Sequence, residues 1–413
     1  MNLAIFDPVG NRGGGSRFLE QLVPALKRAH PDWEVTFFAN PGFLRREGNR
    51  RAFESAGVRL RALDSARLTA ATPFGWSWFP AVAAGGQQHL HGLLRHFPIT
   101  LSGDFRKEAE RKVRGFDLAY FPWPYLIECP DTPCPKVATF HDFNFKYFFG
   151  TKLYSRHQLD LLDRETPRWL RAAWPVVSTE FMRSEAKKWF PEAPRDPRVV
   201  RMAPLVQVID VPEREAAERV DALGIPDPYL VYPCHLCGHK NILNLVMAVH
   251  RLRNRGKRIH LVITGSESEL CSGTAGPIGI ERRTGAGQDV FGLGYVDNRT
   301  MNALFQRAAA VITPSYYEAG NGPGMDGWVR GVPVLMSDIP PFREHEPFSG
   351  VRAGLFDPSE PASIADAIER LLDDPGAARE NARISREGIR RHSWDTVALA
   401  YGEVFLDAVA GTS

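Results

Sequence analysis

A glycine-rich loop between two carboxylates is the most chemically suggestive stretch of this 413-residue sequence. Glu318 precedes the loop and Asp326 follows it, and the loop contains Gly320, Asn321, Gly322 and Gly324. Small residues at the start of a helix leave backbone N–H groups open to an anion. Carboxylate oxygens accept strong hydrogen bonds from vicinal hydroxyls. The pattern predicts a nucleotide-sugar site, with N–H groups for the diphosphate and a carboxylate each for sugar and ribose. The alternative is that Glu318 is an ordinary surface residue.

A second glycine-rich loop follows the first predicted strand. Gly13, Gly14 and Gly15 open the first predicted helix, where unshielded N–H groups can hold an anion. This loop is not a dinucleotide-binding fingerprint, because Phe18 occupies the place of the third glycine. The alternative interpretation is a flexible turn.

The third candidate is "YPCHLCGHKN", which also follows an apolar run. Lys240 could reach a phosphate as a point charge, and Asn241 suits a helix N-terminus. A solvated lysine is the alternative. Cys234 and Cys237 form a CxxC pair interleaved with histidines. No second pair completes four ligands, so we favour a tight turn over a zinc or redox site and expect no metal.

The elements that must position these loops alternate between strand and helix. The predicted strands are NLAIFD, EVTFFA, LAYFP, KVATFHD, WPVVST, RVVRMAP, YLVYP, HLVITG, DVFGLG, AAVITP and VPVLMSD. Segments with helical spacing lie between many of them, such as SRFLEQLVPALKRAH and NILNLVMAVHRLRNRG. This alternation predicts an α/β protein with parallel sheets covered by helices. A polar joint near 206–212 divides it into two doubly wound domains, with an expected interdomain cleft.

Composition and charge indicate a globular protein and narrow its range of partners. The content of 44% hydrophobic and 24% charged residues is typical of a globular chain. The start "MNLAIFDP" is expected to be a strand and not a signal peptide, which favours a cytoplasmic location. Residues 1–204 hold 30 Lys and Arg against 21 Asp and Glu, a net charge of +9, and the remainder holds 21 against 27. The basic first part suggests anionic partners, but no nucleic-acid-binding signature accompanies it.

One segment, 73–103, fits neither the strand pattern nor the helical pattern. It is rich in aromatic residues, glycine and histidine. An interfacial lid that touches lipid or acceptor is one interpretation. An ordinary loop whose aromatic residues pack on the core is the interpretation that we favour.

Taken together, these motifs resemble the retaining glycosyltransferases of family 4 (glycosyl transferases group 1), which have the GT-B fold. The resemblance runs through "GGGSRFLEQLVPAL", "FDLAYFPWP", "KVATFHDF", "GHKN" and the long segment from "DVFGLGYVDN" to "SDIPPFREH". The family motif E-x7-E is similar to Glu318 and Asp326, with aspartate in the second place. The resemblance implies two facing Rossmann-like domains: an acceptor-side domain at 1–207, a donor-binding domain at 208–390, and a C-terminal helix at 391–413 that crosses back.

The resemblance also implies roles for single residues in the second domain. Glu318 would bind the sugar hydroxyls and stabilise positive charge at the anomeric carbon, and Asp326 would bind the ribose. Lys240 would neutralise the diphosphate. His235 stands where the family often has a phosphate-binding arginine. The other implied donor contacts are the nucleobase neighbours Tyr295 and Val296 and the amide donors Asn321 and Gly322.

In the first domain, the resemblance implies that Gly13, Gly14 and Gly15 close over the donor and that His141 contacts the sugar at the reacting face. The implied activity is metal-independent, retaining transfer of a hexose, with mannose as a guess, from a nucleotide-diphosphate sugar. The acceptor would be a glycan or a lipid-linked glycan in cell-surface polysaccharide assembly, with peripheral membrane contact through the basic N-terminal domain. Two alternatives stay open: an epimerase or phosphorylase of the same fold, and an inactive binding scaffold.

Overall fold

The computed structural model describes residues 1–8, 14–64, 102–148, 154–265, 268 and 289–411. Gly13, most of the aromatic segment 73–103 and most of the loop 265–288 lie outside these residues. Contacts divide the chain into two compact units. Unit 1 comprises Met1–Arg201 with Trp394–Ser413, and unit 2 comprises Met202–Ser393.

Unit 1 is built on a seven-stranded parallel sheet with the order β3-β2-β1-β4-β5-β6-β7. Its strands are β1 (Asn2–Asp7), β2 (Glu34–Ala39), β3 (Arg59–Ala62), β4 (Leu118–Phe121), β5 (Lys136–Thr139), β6 (Trp174–Val177) and β7 (Arg198–Val199). Its helices are α1 (Gly14–Ala29), α2 (Pro41–Leu44), α3 (Glu47–Ser55), α4 (Ser102–Lys112), α5 (Arg156–Ala172), α6 (Glu180–Trp189) and α15 (Trp394–Ala410). The first strand pairs residue by residue with the second, from Asn2 with Glu34 to Asp7 with Ala39.

Unit 2 is built on a six-stranded parallel sheet with the order β10-β9-β8-β11-β12-β13. Its strands are β8 (Tyr229–Pro233), β9 (His260–Thr264), β10 (Val290–Gly292), β11 (Ala310–Thr313), β12 (Val334–Ser337) and β13 (Gly354–Phe356). Its helices are α7 (Glu213–Asp221), α8 (Ile242–Asn254), α9 (Asn298–Arg307), α10 (Gly322–Arg330), α11 (Pro340–Arg343), α12 (His345–Ser349), α13 (Pro361–Asp373) and α14 (Pro375–Ile389).

Burial on both sheet faces explains the apolar runs in the sequence. Every residue of β9 is buried, as are Leu230, Val231 and Tyr232 of β8. Two apolar clusters lie on the two faces of the unit 2 sheet, one packed against α8 and α13 and the other against α9 and α10. Strands covered on both faces are typical of doubly wound parallel sheets. The predicted α/β class with Rossmann-like sheets is therefore confirmed.

The last helix, α15, belongs to unit 1, where it packs along α1. Trp394 at its start is 8% exposed, and its ring contacts Phe18 of α1 edge-to-face at 5.5 Å between centroids. Thr139 and Tyr401 share a buried hydrogen bond of 2.9 Å, which joins this helix to β5. Within the described ranges, no helix has both the length and the apolar character needed to cross a bilayer.

Candidate active site

The candidate site of unit 2 lies where the strand order of its sheet reverses. β8 and β11 are neighbours in the sheet, and the chain winds away from them in opposite directions. The loop after β8 carries Lys240, and the loop after β11 carries Glu318. Parallel strands put these two loops at the same edge of the sheet, and such switch points are where doubly wound folds bind ligands.

Lys240 and Glu318 form an ion pair at this edge. The Lys240 ammonium donates a hydrogen bond to Glu318 Oε1, and each side chain is only 19% exposed. Burial alone would lower the pKa of Lys240, but the attraction of the Glu318 carboxylate outweighs it and raises the pKa above its usual range. The ammonium therefore stays charged at any physiological pH.

Two buried hydroxyls hold this ion pair in place, and neither was singled out from the sequence. Ser315 Oγ donates to Glu318 Oε1 at 2.7 Å and also shares a 2.9 Å hydrogen bond with Tyr232. The Tyr232 hydroxyl also lies 3.3 Å from the Lys240 carbonyl. Burial raises the pKa of Tyr232 well above its usual value, so the phenol remains a donor. The only sequence signal was a hydroxyl side chain near the end of each apolar run, since Tyr232 lies within β8 and Ser315 two residues after β11.

The glycine-rich loop ends in an N-cap. Asn321 caps α10: its Oδ1 accepts from the backbone N–H of Gly324 at 3.0 Å. An added Cβ at Gly324 would lie 2.4 Å from the Asn321 side chain, so a glycine is needed there. The expectation that every amide of this loop is open is therefore wrong for Gly324. Within the described part of the chain, the N–H groups of Gly320, Asn321 and Gly322 have no acceptor.

Asp326 is buried inside unit 2, with 3% of its surface exposed. Its Oδ1 accepts a hydrogen bond from the Val206 N–H at 2.8 Å and lies 4.0 Å from the Arg330 guanidinium. Arg330 also donates to the Val206 carbonyl at 3.0 Å. Asp326 thus anchors the segment that enters unit 2, a role that the sequence did not indicate. Its contact with a ribose stays a prediction.

Asn241 occupies the N-cap position of α8 but does not cap it with its side chain. It has left-handed backbone angles, and Nδ2 donates to the carbonyls of Pro314 and Pro358 at 2.9 Å and 2.6 Å. The predicted place at a helix N-terminus is therefore confirmed, but the side chain makes no capping hydrogen bond. The side chain instead connects the loop after β8 to the loop after β11, which brings Lys240 towards Glu318.

The other predicted donor contacts of unit 2 are at its surface. His235 is exposed, and Tyr295 is 49% exposed. Val296 packs on the apolar cluster beneath it. No disulfide joins the four described cysteines, and Cys237 Sγ lies 3.4 Å from His239 Nδ1. Among the described residues, no group of His, Cys, Asp and Glu side chains is arranged to hold a metal ion.

The candidate residues of unit 1 form their own cluster. Gly15 is buried against the Trp123 ring, which would lie 2.4 Å from an added Cβ, and Gly14 is exposed at the start of α1. The Trp123 ring is 4.0 Å from the His141 ring, and His141 Nε2 is 3.0 Å from the Pro122 carbonyl. Burial lowers the pKa of His141 to about 4, although the bond to Pro122 opposes this effect. The imidazole is neutral at pH 7, and donation from Nε2 leaves Nδ1 as an acceptor.

Comparison with known families supports the interpretation of unit 2. Residues 227–374 match the family model described as "Glycosyl transferases group 1". The matched segment contains Lys240, Glu318 and Asp326. The resemblance to group 1 glycosyltransferases that the sequence motifs indicated is thereby confirmed.

Similar proteins extend the comparison. A glycogen synthase of Mycobacterium tuberculosis (strain CDC 1551 / Oshkosh) is 32% identical over 120 residues, which are 29% of this chain and 29% of that protein. The chain thus matches less than a third of the length of that relative.

Two solved structures cover the whole fold. Sucrose-phosphate synthase from Thermosynechococcus elongatus has a TM-score of 0.71 and 18% identity over 100% of both chains. HepE from Anabaena in complex with UDP-glucose has a TM-score of 0.67 and 14% identity, over 98% of this chain and 100% of that one. The predicted GT-B fold class is confirmed by these likenesses.

Proposed function

We propose that the protein is a glycosyltransferase that takes its sugar from a nucleotide-diphosphate donor bound to unit 2. The observation that carries this proposal is the Lys240–Glu318 ion pair beside the open amides of Gly320, Asn321 and Gly322 at the start of α10. Together they supply one cation, one carboxylate and a helix N-terminus at the switch point of a parallel sheet. The complex of HepE with UDP-glucose supports a donor of this class.

The proposed chemistry uses these groups in separate roles. Cleavage of the glycosyl–phosphate bond leaves negative charge on the diphosphate, which Lys240 and the amides of Gly320, Asn321 and Gly322 would stabilise. Glu318 would accept hydrogen bonds from sugar hydroxyls and stabilise the positive charge that develops at the anomeric carbon. We propose that the acceptor hydroxyl attacks from the face of the departing phosphate, which retains the anomeric configuration.

The finer parts of the proposal extend beyond this site. The transferred sugar is proposed to be a hexose, with mannose as the first candidate, and the acceptor a glycan or lipid-linked glycan of the cell surface. The net charge of +9 over residues 1–204 supports an anionic acceptor or membrane surface. We further propose a cytoplasmic location and a reaction that needs no metal. The roles of His235, Tyr295, Val296, Gly13, Gly14, Gly15 and His141 stay predictions.

A panel of donors tests this proposal. Thermal stability is measured with GDP-, UDP-, dTDP- and ADP-sugars, because a bound donor raises the melting temperature by mass action. The selected donor is then incubated with and without glycan acceptors, and release of nucleoside diphosphate is followed. We expect release that depends on the acceptor. A donor converted without an acceptor would favour an epimerase, release driven by free phosphate would favour a phosphorylase, and binding without turnover would favour a scaffold.

A further inference from the structure

Unit 2 contains a cavity at the edge of its sheet opposite the candidate active site. The cavity has a volume of about 930 Å³. It is lined by Pro228, Ala309 and Pro333, which immediately precede β8, β11 and β12. Because these strands are parallel, the cavity lies at their amino ends, whereas Lys240 and Glu318 follow their carboxyl ends. The cavity is therefore distinct from the candidate active site.

Three arginines line this cavity from a single helix face. Arg379 and Arg386 lie on α14, and Arg390 directly follows its last residue. Their spacings of seven and eleven residues are close to two and three helical turns, which puts all three side chains on one stripe. All three are exposed, and no hydrogen-bond or ion-pair partner exists for their guanidinium groups among the described residues.

Charge in the cavity is not balanced. Its lining contains four arginines and one carboxylate, that of Asp210. The fourth arginine, Arg330, is already bonded to the carbonyls of Val206 and Asp326 and to Asn302 Oδ1. The three arginines of the α14 stripe are thus the cations left to bind a ligand.

Arg383 of the same helix differs from these three arginines, because its guanidinium group has carboxylate partners. Arg383 donates to the carboxylates of Glu380 and Glu387 and does not line the cavity. Carboxylate partners therefore exist on α14, but they bond to Arg383 and not to the three arginines of the stripe. The arginine stripe is unpaired on the side where the cavity is.

We propose that this cavity binds a phosphate ester of a small organic molecule. The planar guanidinium fork of arginine matches a phosphate group, and several forks on one face suit a doubly charged monoester. Val208, Ile209, Val332 and Leu372 give the cavity an apolar wall for the organic part. The Arg386 side chain lies close to Gly331, another residue of the cavity lining, because a Cβ added at Gly331 would be 3.3 Å from Arg386 Cδ.

Calorimetric titration of the full chain tests the site. The probes are glucose, inorganic phosphate, glucose 1-phosphate and ribose 5-phosphate. We expect at least one phosphate ester to bind. Glucose, which lacks the phosphate group, and inorganic phosphate, which lacks the organic part, should each bind at least about tenfold more weakly. Failure of both esters to bind, or equal binding of inorganic phosphate, overturns the proposal.

Variants locate the bound ester. Arg386→Ala/Arg390→Ala changes only exposed side chains and is expected to weaken ester binding by at least about tenfold. Arg383→Ala is the matched control and Lys240→Ala the control for the active site, and both are expected to keep the wild-type affinity. Unchanged affinity in the double variant, or loss of binding in Lys240→Ala, overturns the assignment. This result is independent of any transferase activity.

Discussion

The Lys240 ammonium donates a hydrogen bond to the Glu318 carboxylate, although 78 residues separate the two in the sequence. The pair depends on the topology of the sheet, because β8 and β11 are neighbours and their following loops share one edge. A largely buried ion pair costs desolvation energy, so its stability requires the surrounding hydrogen bonds. The Ser315 hydroxyl supplies one of these bonds to Glu318, and the Tyr232 hydroxyl in turn holds Ser315.

Replacing Lys240 with alanine should weaken nucleotide binding. The change removes the only side-chain cation bonded to Glu318 among the described residues, and a hydrogen bond to a charged group contributes about 1.5–3 kcal/mol. We therefore expect the affinity for UDP, or for the nucleotide selected by the donor panel, to fall by at least about tenfold in calorimetric titrations. Lys257→Ala is the control, because that lysine pairs with Asp373 elsewhere on the surface. Equal affinities of the two variants would contradict the assignment of Lys240.

Ser315→Ala should lower turnover more than nucleotide binding. The hydroxyl donates to Glu318 at 2.7 Å, so its loss leaves the carboxylate less firmly oriented. We expect kcat to fall by about tenfold, equivalent to about 1.4 kcal/mol, while the affinity for the nucleotide changes less than twofold. Tyr316→Phe is the matched control, since it removes only a hydrogen bond to Asn244. A Ser315→Ala enzyme with the kcat of this control would show that the hydroxyl does not position Glu318.

Substitutions of Asp326 distinguish a structural role of this carboxylate from a role in nucleotide binding. Asp326→Ala removes the acceptor for the buried Val206 N–H and leaves Arg330 without a neighbouring carboxylate. We expect a loss of about 2–3 kcal/mol in the free energy of unfolding, and Asp326→Asn, which keeps an acceptor, should lose less. Thermal melting measures both. If the two variants melt like the wild type and only nucleotide affinity changes, the anchoring role is wrong.

His141 should make unit 1 less stable in acid. Its pKa is about 4 in the folded protein and about 6.5 when unfolded, so the unfolded chain binds more protons between these values. Stability from this group is complete above about pH 6.5 and is lost as the pH falls towards 4. The loss between about pH 7.5 and pH 5 should be about 2 kcal/mol.

Melting temperatures at these two pH values check this prediction. The decrease should be smaller in His141→Gln than in the wild type, because glutamine does not titrate. His157→Gln, which changes an exposed histidine of the same unit, should follow the wild type. A decrease that is the same in all three proteins would contradict the prediction. His239, whose pKa burial also lowers to about 4, contributes a similar slope in unit 2 of each protein.

Strand prediction succeeded where burial on both faces left an apolar run and failed at two sheet edges. β3 was not predicted, because its exposed Arg59 and Arg61 interrupt any apolar pattern. β13 was not predicted either, because it is only three residues long and carries the exposed Leu355. Both strands lie at the end of a sheet, where one neighbour and partial solvent exposure relax the demand for apolar residues.

The candidate site was predictable in its residue types but not in its bonds. Loops after strands and a carboxylate beside glycines pointed to Lys240 and Glu318. Their direct pairing depends on strand order, which the alternation of elements leaves open. The same holds for Asp326, since nothing local to "GMDGW" indicates that Val206, 120 residues earlier, donates to it.

Kinetics of Glu318→Gln test the central claim most directly. The change keeps the size of the side chain and removes its charge, so sugar contacts persist while stabilisation of the developing positive charge is lost. With the donor and acceptor identified by the panel, we expect kcat to fall by at least about 100-fold, or about 2.7 kcal/mol, while the nucleotide still raises the melting temperature. A Glu318→Gln enzyme with wild-type kcat would contradict the claim that this carboxylate acts at the bond that breaks.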